Sequence, residues 1–441
     1  MAKQPLPLAT VSDAARKITL CIGNEASDAD SIVSSLCLAY LKQQQHEGDN
    51  KDFVPVVAVP RSILNLRRET QLLLRSVGLE LDDLICLDEL DLQELSDQSK
   101  LQALMLTDHN LLGKCVISKL KGGEAQAATL VECIVDHHKD QGAYPTCAGT
   151  SRIIAFDSAT NTATAGSTCT LVAELVLQAA PALQTPCESA IQDVSVLLQG
   201  VICIDTQNMD TRGVGTARDA SALQGLSAKV AGKADRNSTF VVLRDAKSDP
   251  AFWNELSALE CLCIDYKQFL QATGAEVGIA STLLPVQQFL DKEGSVTQIV
   301  QYMARPTLEQ PQSSSSAAAV DADTDLGSEP IQPLELLLVM STVYQPEFRR
   351  ELLIASHDEA RADALATFLQ VAGGAVELEP LPVSLSASAS ASRSNEVGKD
   401  GRLCVTGADG AVLHVRAFYQ GNSKASRKQI APLVHEFYSS I

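Results

Sequence analysis

Apolar positions in this chain fall into two alternating rhythms. Short uninterrupted runs at residues 18–22, 54–59 and 101–106 read as buried strands. Between them, residues 32–43 and 63–77 carry apolar side chains at helical spacing, with Arg67 and Arg68 on the polar face of the second. Residues 84–87, 132–135 and 153–156 add short strands. Residues 90–96 add a short helix, and residues 167–177 a longer one opened by Gly166-Ser167-Thr168. A long apolar helical run, 189–204, leads into Asp205-Thr206, and residues 216–270 look largely helical. Strands alternating with helices predict an α/β fold built on a doubly wound parallel sheet.

Near residue 270 the texture changes. Residues 277–282, 336–341 and 352–355 read as strands separated by helices and loops. The last helix starts near Ser426, with an apolar face over 430–437. The pattern predicts a larger N-terminal domain over 1–270 and a smaller C-terminal α/β domain over 271–441. Two Ser/Ala-rich, polar segments, near 310–330 and 384–400, are expected to be flexible surface insertions.

Size agrees with this division, since 441 residues exceed one compact core. With aromatics at 4%, the core has to rest on Leu, Val, Ile and Ala. A net charge of −19 argues against a nucleic-acid polymer as partner, while leaving room for a local basic funnel toward a smaller polyanion. The twelve cysteines are scattered and form no CxxC pair, which suits free thiols in a reducing compartment. The N-terminus lacks the apolar stretch of a signal peptide, and no run approaches ~20 apolar residues. A soluble, cytoplasmic protein with no membrane partner is expected.

Four apolar runs end in a polar cluster containing aspartate: Asp28 and Asp30, Asp108, Asp136 with His137 and His138, and Asp205. Parallel strands point their C-terminal ends the same way, so such clusters should converge on one rim. Gathered carboxylates repel, and burial disfavours their charge further. Cations would relieve both effects. Oxygen-rich ligands with one or two imidazoles suit Mg²⁺ or Mn²⁺ better than structural zinc. Two such ions would make a phosphoryl-transfer site. Helix capping is the plainer alternative, and Asp30, just before Ser31, could serve that purpose alone.

An ordered set of motifs goes further: Gly23–Ser31 (GNEASDADS), TDHN at 107–110, VDHH at 135–138, GSTCT at 166–170, IDT at 204–206, DYKQF at 265–269 and SRKQ at 426–429. Together they resemble the DHH phosphoesterase superfamily, in the branch with a DHHA2-type C-terminal domain. That branch holds fungal-type cytosolic exopolyphosphatases, prune-like proteins and manganese-dependent family II pyrophosphatases. The resemblance implies an active site in the cleft between a DHH and a DHHA2 domain, with two Mn²⁺ or Mg²⁺ ions. Asp28 would bind the first metal and Asp30 the second. Asp108 would bridge them, with His137 and Asp205 completing the ligand set of the second metal. Asp136 would support the cluster and His138 would touch a phosphoryl oxygen. Lys267, Arg427 and Lys428 would grip substrate phosphates, and Arg349 and Arg350 are candidates for lining a basic channel. The implied reaction is removal of the terminal phosphate of inorganic polyphosphate by a metal-bound water. Short polyphosphates, nucleoside tetraphosphates, cyclic nucleotides and pyrophosphate are the alternative substrates. Asn24 departs from the pyrophosphatases, which carry a histidine ligand there, and His138 departs from the arginine typical of animal prune-like proteins.

Overall fold

A computed structural model describes residues 16–182, 188–211, 213–230, 232, 234–306, 332–344, 347–385, 400–406 and 410–441. The described chain forms two compact units, one up to Lys247 and one from Ser248.

In the first unit six strands make one sheet: β1 (Lys17–Ile22), β2 (Lys51–Val57), β3 (Ile85–Cys86), β4 (Leu101–Thr107), β5 (Val131–Asp136) and β6 (Arg152–Ile154). Their order is β3-β2-β1-β4-β5-β6, and every neighbouring pair is parallel. The chain therefore builds outward from β1 on one side, then returns to its other side with β4. At such a reversal the connections leave toward opposite faces and open a crevice at the C-terminal strand ends. A small ribbon, β7 (Phe156–Asp157) with β8 (Thr162–Ala163), follows the sheet.

The helices that matter for the site are α1 (Ala29–Gln45), α2 (Arg68–Ser76), α3 (Leu92–Asp97), α4 (Thr168–Ala179), α5 (Glu188–Asp205), α6 (Ala217–Val230) and α7 (Arg236–Lys247). One sheet face packs Leu20, Ile22, Val54, Val56, Leu104, Leu106 and Ile134 against Leu92 and Leu95 of α3, with Val116 and Ala127. Because helices cover both faces, the strands are apolar without alternation. Helix α5 is apolar nearly all round for a similar reason, since α1, α4, α6 and α7 all touch it.

The second unit begins with helices and includes α8 (Ala258–Ile264). Its sheet comprises β9 (Tyr266–Leu270), β10 (Glu276–Thr282), β11 (Leu334–Val343), β12 (Arg349–Ser356), β13 (Leu378–Pro380), β14 (Arg402–Thr406) and β15 (Val412–Gln420). The order is β13-β15-β12-β11-β10-β9, with β14 also on β15, and only β10–β11 run parallel. Helices α9 (Ser295–Ala304), α10 (Glu359–Val371) and α11 (Arg427–Ser439) complete it, and α10 and α11 share an apolar core with the sheet.

Several sequence expectations need correction. The boundary falls at Lys247/Ser248 rather than near 270, because β9 pairs antiparallel with β10 inside the second unit. Residues 216–270 are largely helical, as expected, up to the strand Tyr266–Leu270. The expected helix over 63–77 is two pieces, Arg61–Leu64 and α2, and Arg67 between them is buried, not on a polar face. The insertion expected near 310–330 lies outside the described residues, as does 386–399 of the one expected near 384–400.

Candidate metal centre

The loop after β1 is shaped by its own side chains. Asn24 Oδ1 accepts from the N–H groups of Ala26 (2.8 Å) and Ser27 (3.2 Å), and Asn24 N–H donates to Ser31 Oγ (2.6 Å). Ser27 takes a positive φ of 44°, and buried Arg67 donates to its carbonyl (3.0 Å) and to that of Ala26. A guanidinium fork thus holds a backbone turn that a serine would not choose alone. The turn leaves Asp28 as the N-cap of α1, its Oδ1 accepting from Ser31 N–H at 3.0 Å. Asp28, and not Asp30, is the capping residue.

Asp30, buried in the first turn of α1, faces the start of α4. Its Oδ1 accepts from Ser167 Oγ (2.7 Å) and Cys169 N–H (2.8 Å), and its Oδ2 from Thr168 N–H (2.7 Å). A carboxylate at a helix N-terminus is well placed against the local donors and dipole.

Asp108 follows β4 with φ 62°, a left-handed conformation that aspartate tolerates better than most residues. Its backbone N–H still extends the ladder to Val135 O (3.0 Å). Its carboxylate accepts from Asn24 Nδ2 (2.7 Å) and Thr168 Oγ1 (3.2 Å). Asn24 therefore presents its amide N–H₂ to Asp108, while its oxygen is spent on the loop backbone.

The two histidines after β5 have different settings. His137 Nδ1 faces the carbonyl of Ala165 at 3.0 Å. A carbonyl can only accept, so Nδ1 carries the proton and Nε2 is left facing the carboxylates, 3.5 Å from Asp108 Oδ1 and 4.0 Å from Asp30 Oδ2. An imidazole lone pair aimed at carboxylate oxygens calls for a cation between them. His138 instead holds Asp136 through Nδ1 (2.8 Å), with Asp108 Oδ1 3.6 Å away. Asp136, fully buried, also accepts from Asn110 Nδ2 at 2.5 Å and from His138 N–H at 3.1 Å. Burial pushes its carboxyl pKa up, but the His138 hydrogen bond, both imidazoles and Asn110 outweigh that and hold it well below the usual range.

Asp205 comes from the C-terminal end of helix α5, not from a strand. Its Oδ2 is buried without a hydrogen-bond partner. Burial, then the charges of Asp30 and Asp28, push its pKa well above the ordinary value, against weaker pulls from Lys247 and Ser167. An orphaned carboxylate oxygen, held near two other carboxylates, is what a cation site looks like without its cation.

Asp108, His137 and His138 each offer a ligand atom within 4.8 Å of the others. With Asp30 in reach of His137, and Asp205 under the like charges of Asp30 and Asp28, the oxygen-rich, imidazole-containing donor set fits a hard divalent ion. The roles of Asn110 and of the donors in 165–169 were not read from the sequence. TDHN and GSTCT flagged the segments, but nothing in them marked which side chains would turn inward.

Lys267, Arg427 and Lys428 belong to the second unit. Arg427 forks onto Asp265, through Oδ1 (2.7 Å) and the carbonyl (3.2 Å), at the start of α11, whose capping box joins Ser426 and Gln429. Arg349 pairs with Glu351 (2.8 Å), and Arg350 donates to Ser423 O (2.8 Å) and Thr342 Oγ1 (3.1 Å). Both side chains are engaged within the second unit.

Residues 18–198 match the model of the DHH family, N-terminal domain. The segment that builds the crevice is thus similar to the N-terminal domain of the DHH family. The chain is 26% identical over 427 residues, 96% of this chain and 76% of the relative, to the exopolyphosphatase PRUNE1 of Rattus norvegicus. It is 30% identical over 249 residues to a Schizosaccharomyces pombe protein assigned as an exopolyphosphatase, covering 55% of this chain and 58% of that one. Its fold is that of a Methanococcus jannaschii protein assigned to the family II inorganic pyrophosphatases, with TM-score 0.52 and 18% identity over 96% of this chain and 99% of that one. No helix among the described residues is long and apolar enough to cross a membrane.

Proposed function

We propose that the chain is a metal-dependent exopolyphosphatase that removes the terminal phosphate of inorganic polyphosphate. The observation that carries this reading is the convergence of Asp108, His137 and His138 within 4.8 Å at the sheet's reversal point, beside Asp30. Asp28, Asp30, Asp108, His137 and Asp205 are the proposed ligands of two Mn²⁺ or Mg²⁺ ions. When bound, such ions supply Lewis-acid activation of water and neutralise charge on the phosphoryl oxygens.

The chain's own residues do the rest. Asp136 fixes the orientation of His138, so that the other face of the imidazole is available to a phosphoryl oxygen. Ala165 O fixes the tautomer of His137. Lys267, Arg427 and Lys428 are the proposed phosphate contacts from the second unit, with Asp265 aligning the Arg427 guanidinium. Phosphoryl transfer relies on positioning and electrostatic stabilisation, which is what fixed imidazoles and cations provide.

The named relatives support a phosphoanhydride substrate. Asn24 argues against a dedicated pyrophosphatase, since its amide donates to Asp108 and its oxygen is already taken. Phosphate release from polyphosphates of increasing length, with each metal, tests the reading. Turnover sustained on long chains and abolished by chelation is expected. A rate confined to tripolyphosphate or shorter would favour a prune-like short-chain hydrolase. Release that ignores chelation would sink the metal-dependent mechanism.

A further inference from the structure

We propose that Asp219 is the positioning residue of the metal centre, acting through the 165–169 segment and not through contact with ion or substrate. This assignment rests on the metal-centre reading above. Asp219 lies in the first turn of α6 and is completely buried. No sequence motif marks it.

Its two oxygens collect donors from three places. Gly166 N–H is shared between Oδ1 (3.0 Å) and Oδ2 (2.9 Å). Thr170 Oγ1 donates to Oδ1 (2.5 Å), and Thr216 donates to Oδ2 through both its N–H (2.7 Å) and its hydroxyl (2.8 Å). Gly166 and Thr170 bracket Ser167, Thr168 and Cys169, which supply every hydrogen bond described above for Asp30 and the Thr168 bond to Asp108. Ala165, on the other side of Gly166, provides the carbonyl that orients His137. One carboxylate therefore grips both ends of the segment that aligns three proposed ligands.

Gly166 makes the grip possible. A Cβ there would lie 2.9 Å from Thr206 Cγ2 and 3.1 Å from Asp219 Oδ2, so a side chain would push the N–H away from the carboxylate. Each partner named above for Asp219 donates to it, and a carboxylate accepts only. The isosteric amide of asparagine would turn an N–H₂ against one of those donors. The segment would then shift, and the ligands it aligns would shift with it. Partners behind metal ligands typically change metal affinity by roughly 10–100-fold when lost.

The test uses the full chain and Mn²⁺ alone, read by calorimetry and by the spin-resonance spectrum of the bound ion. Asp219→Asn should weaken Mn²⁺ binding by roughly 10–100-fold and broaden the spectrum. Leu92→Ala, in the core away from the centre, should lower Tm while leaving affinity within about twofold. If Asp219→Asn does not fold, Thr170→Val removes one donor isosterically and is expected to weaken binding several-fold. Asp219→Asn, or Thr170→Val in its place, binding Mn²⁺ like the wild type would overturn the positioning role and leave the metal centre standing. A wild-type chain that takes up no Mn²⁺ would overturn the metal centre itself, and this role with it.

Discussion

Buried charge is handled differently in the two units. In the second, Arg416 on β15 is 3% exposed and meets Asp363 at 2.6 Å and Glu359 at 3.1 Å, both from α10. Glu351, 2% exposed on β12, accepts from Val286 N–H at 2.7 Å and pairs with Arg349. Each of these charges is answered by an opposite charge or a donor of the same unit. In the first unit Asp30 and Asp108 both face His137, and the like charges of Asp30 and Asp28 act on Asp205. The hydrogen bonds described for Asp30 and Asp108 come from hydroxyls, amides and backbone N–H groups, and one oxygen of Asp205 has none. Opposite charges close a fold, whereas gathered like charges leave a deficit that a cation can fill. The difference separates a structural ion pair from a functional cluster without reference to any relative.

That contrast can be broken most directly at Asp108. Asp108→Ala should cut phosphate release by at least ~10³-fold, since it removes a group from the centre of the cluster. Its melting temperature without metal should stay close to that of the wild type. Activity within tenfold of wild type would mean that the cluster is not the reaction centre.

Metal should act on the first unit and not on the second. Mn²⁺ at a hundredfold excess over Kd is expected to stabilise the first unit by about 2.7 kcal/mol, seen as a rise of several degrees in its melting transition and reversed by chelator. A uniform shift of both transitions, or none, would remove the distinction.

Arg416→Met gives the converse. Loss of its paired hydrogen bonds should cost the second unit about 1–3 kcal/mol. Mn²⁺ affinity should not change, which titration of the variant would establish. A fall in affinity would tie Arg416 to the metal centre.

The smallest effect expected is a pH dependence. Unfolded, an aspartate releases its proton near pH 3.9, while Asp205 in the fold keeps its proton to higher pH. Across that window the folded state holds the extra proton, so metal-free stability falls as pH rises. Asp205→Asn should flatten this slope, raising the metal-free Tm at neutral pH by a few degrees while impairing Mn²⁺ binding. Parallel pH profiles for variant and wild type would show that Asp205 is not held protonated.

The doubly wound first unit was legible because parallel strands covered on both faces must be apolar runs, and helices must alternate with them. Asp108 and Asp136-His137-His138 were legible for the same reason, as abrupt polar ends of such runs. Strands β13 to β15 were not foreseen, since a mixed sheet with short pairings leaves no single period. The boundary at 247/248 was hidden too, because β9 reads as belonging to the preceding helices until its pairing with β10 is seen.

By itself, then, the sequence determined which residue types stand at the strand ends, and so the class of chemistry they could support. Tertiary structure alone decided what each one does. It made Asp28 the cap and turned Asp30 to the start of α4. It brought Asp205 in from a helix end, buried Arg67 under the first loop, and set Asp136 behind His138. Local spacing cannot carry such assignments. They depend on hydrogen-bond partners as many as 139 residues away along the chain, as Cys169 is from Asp30, and only packing brings those together.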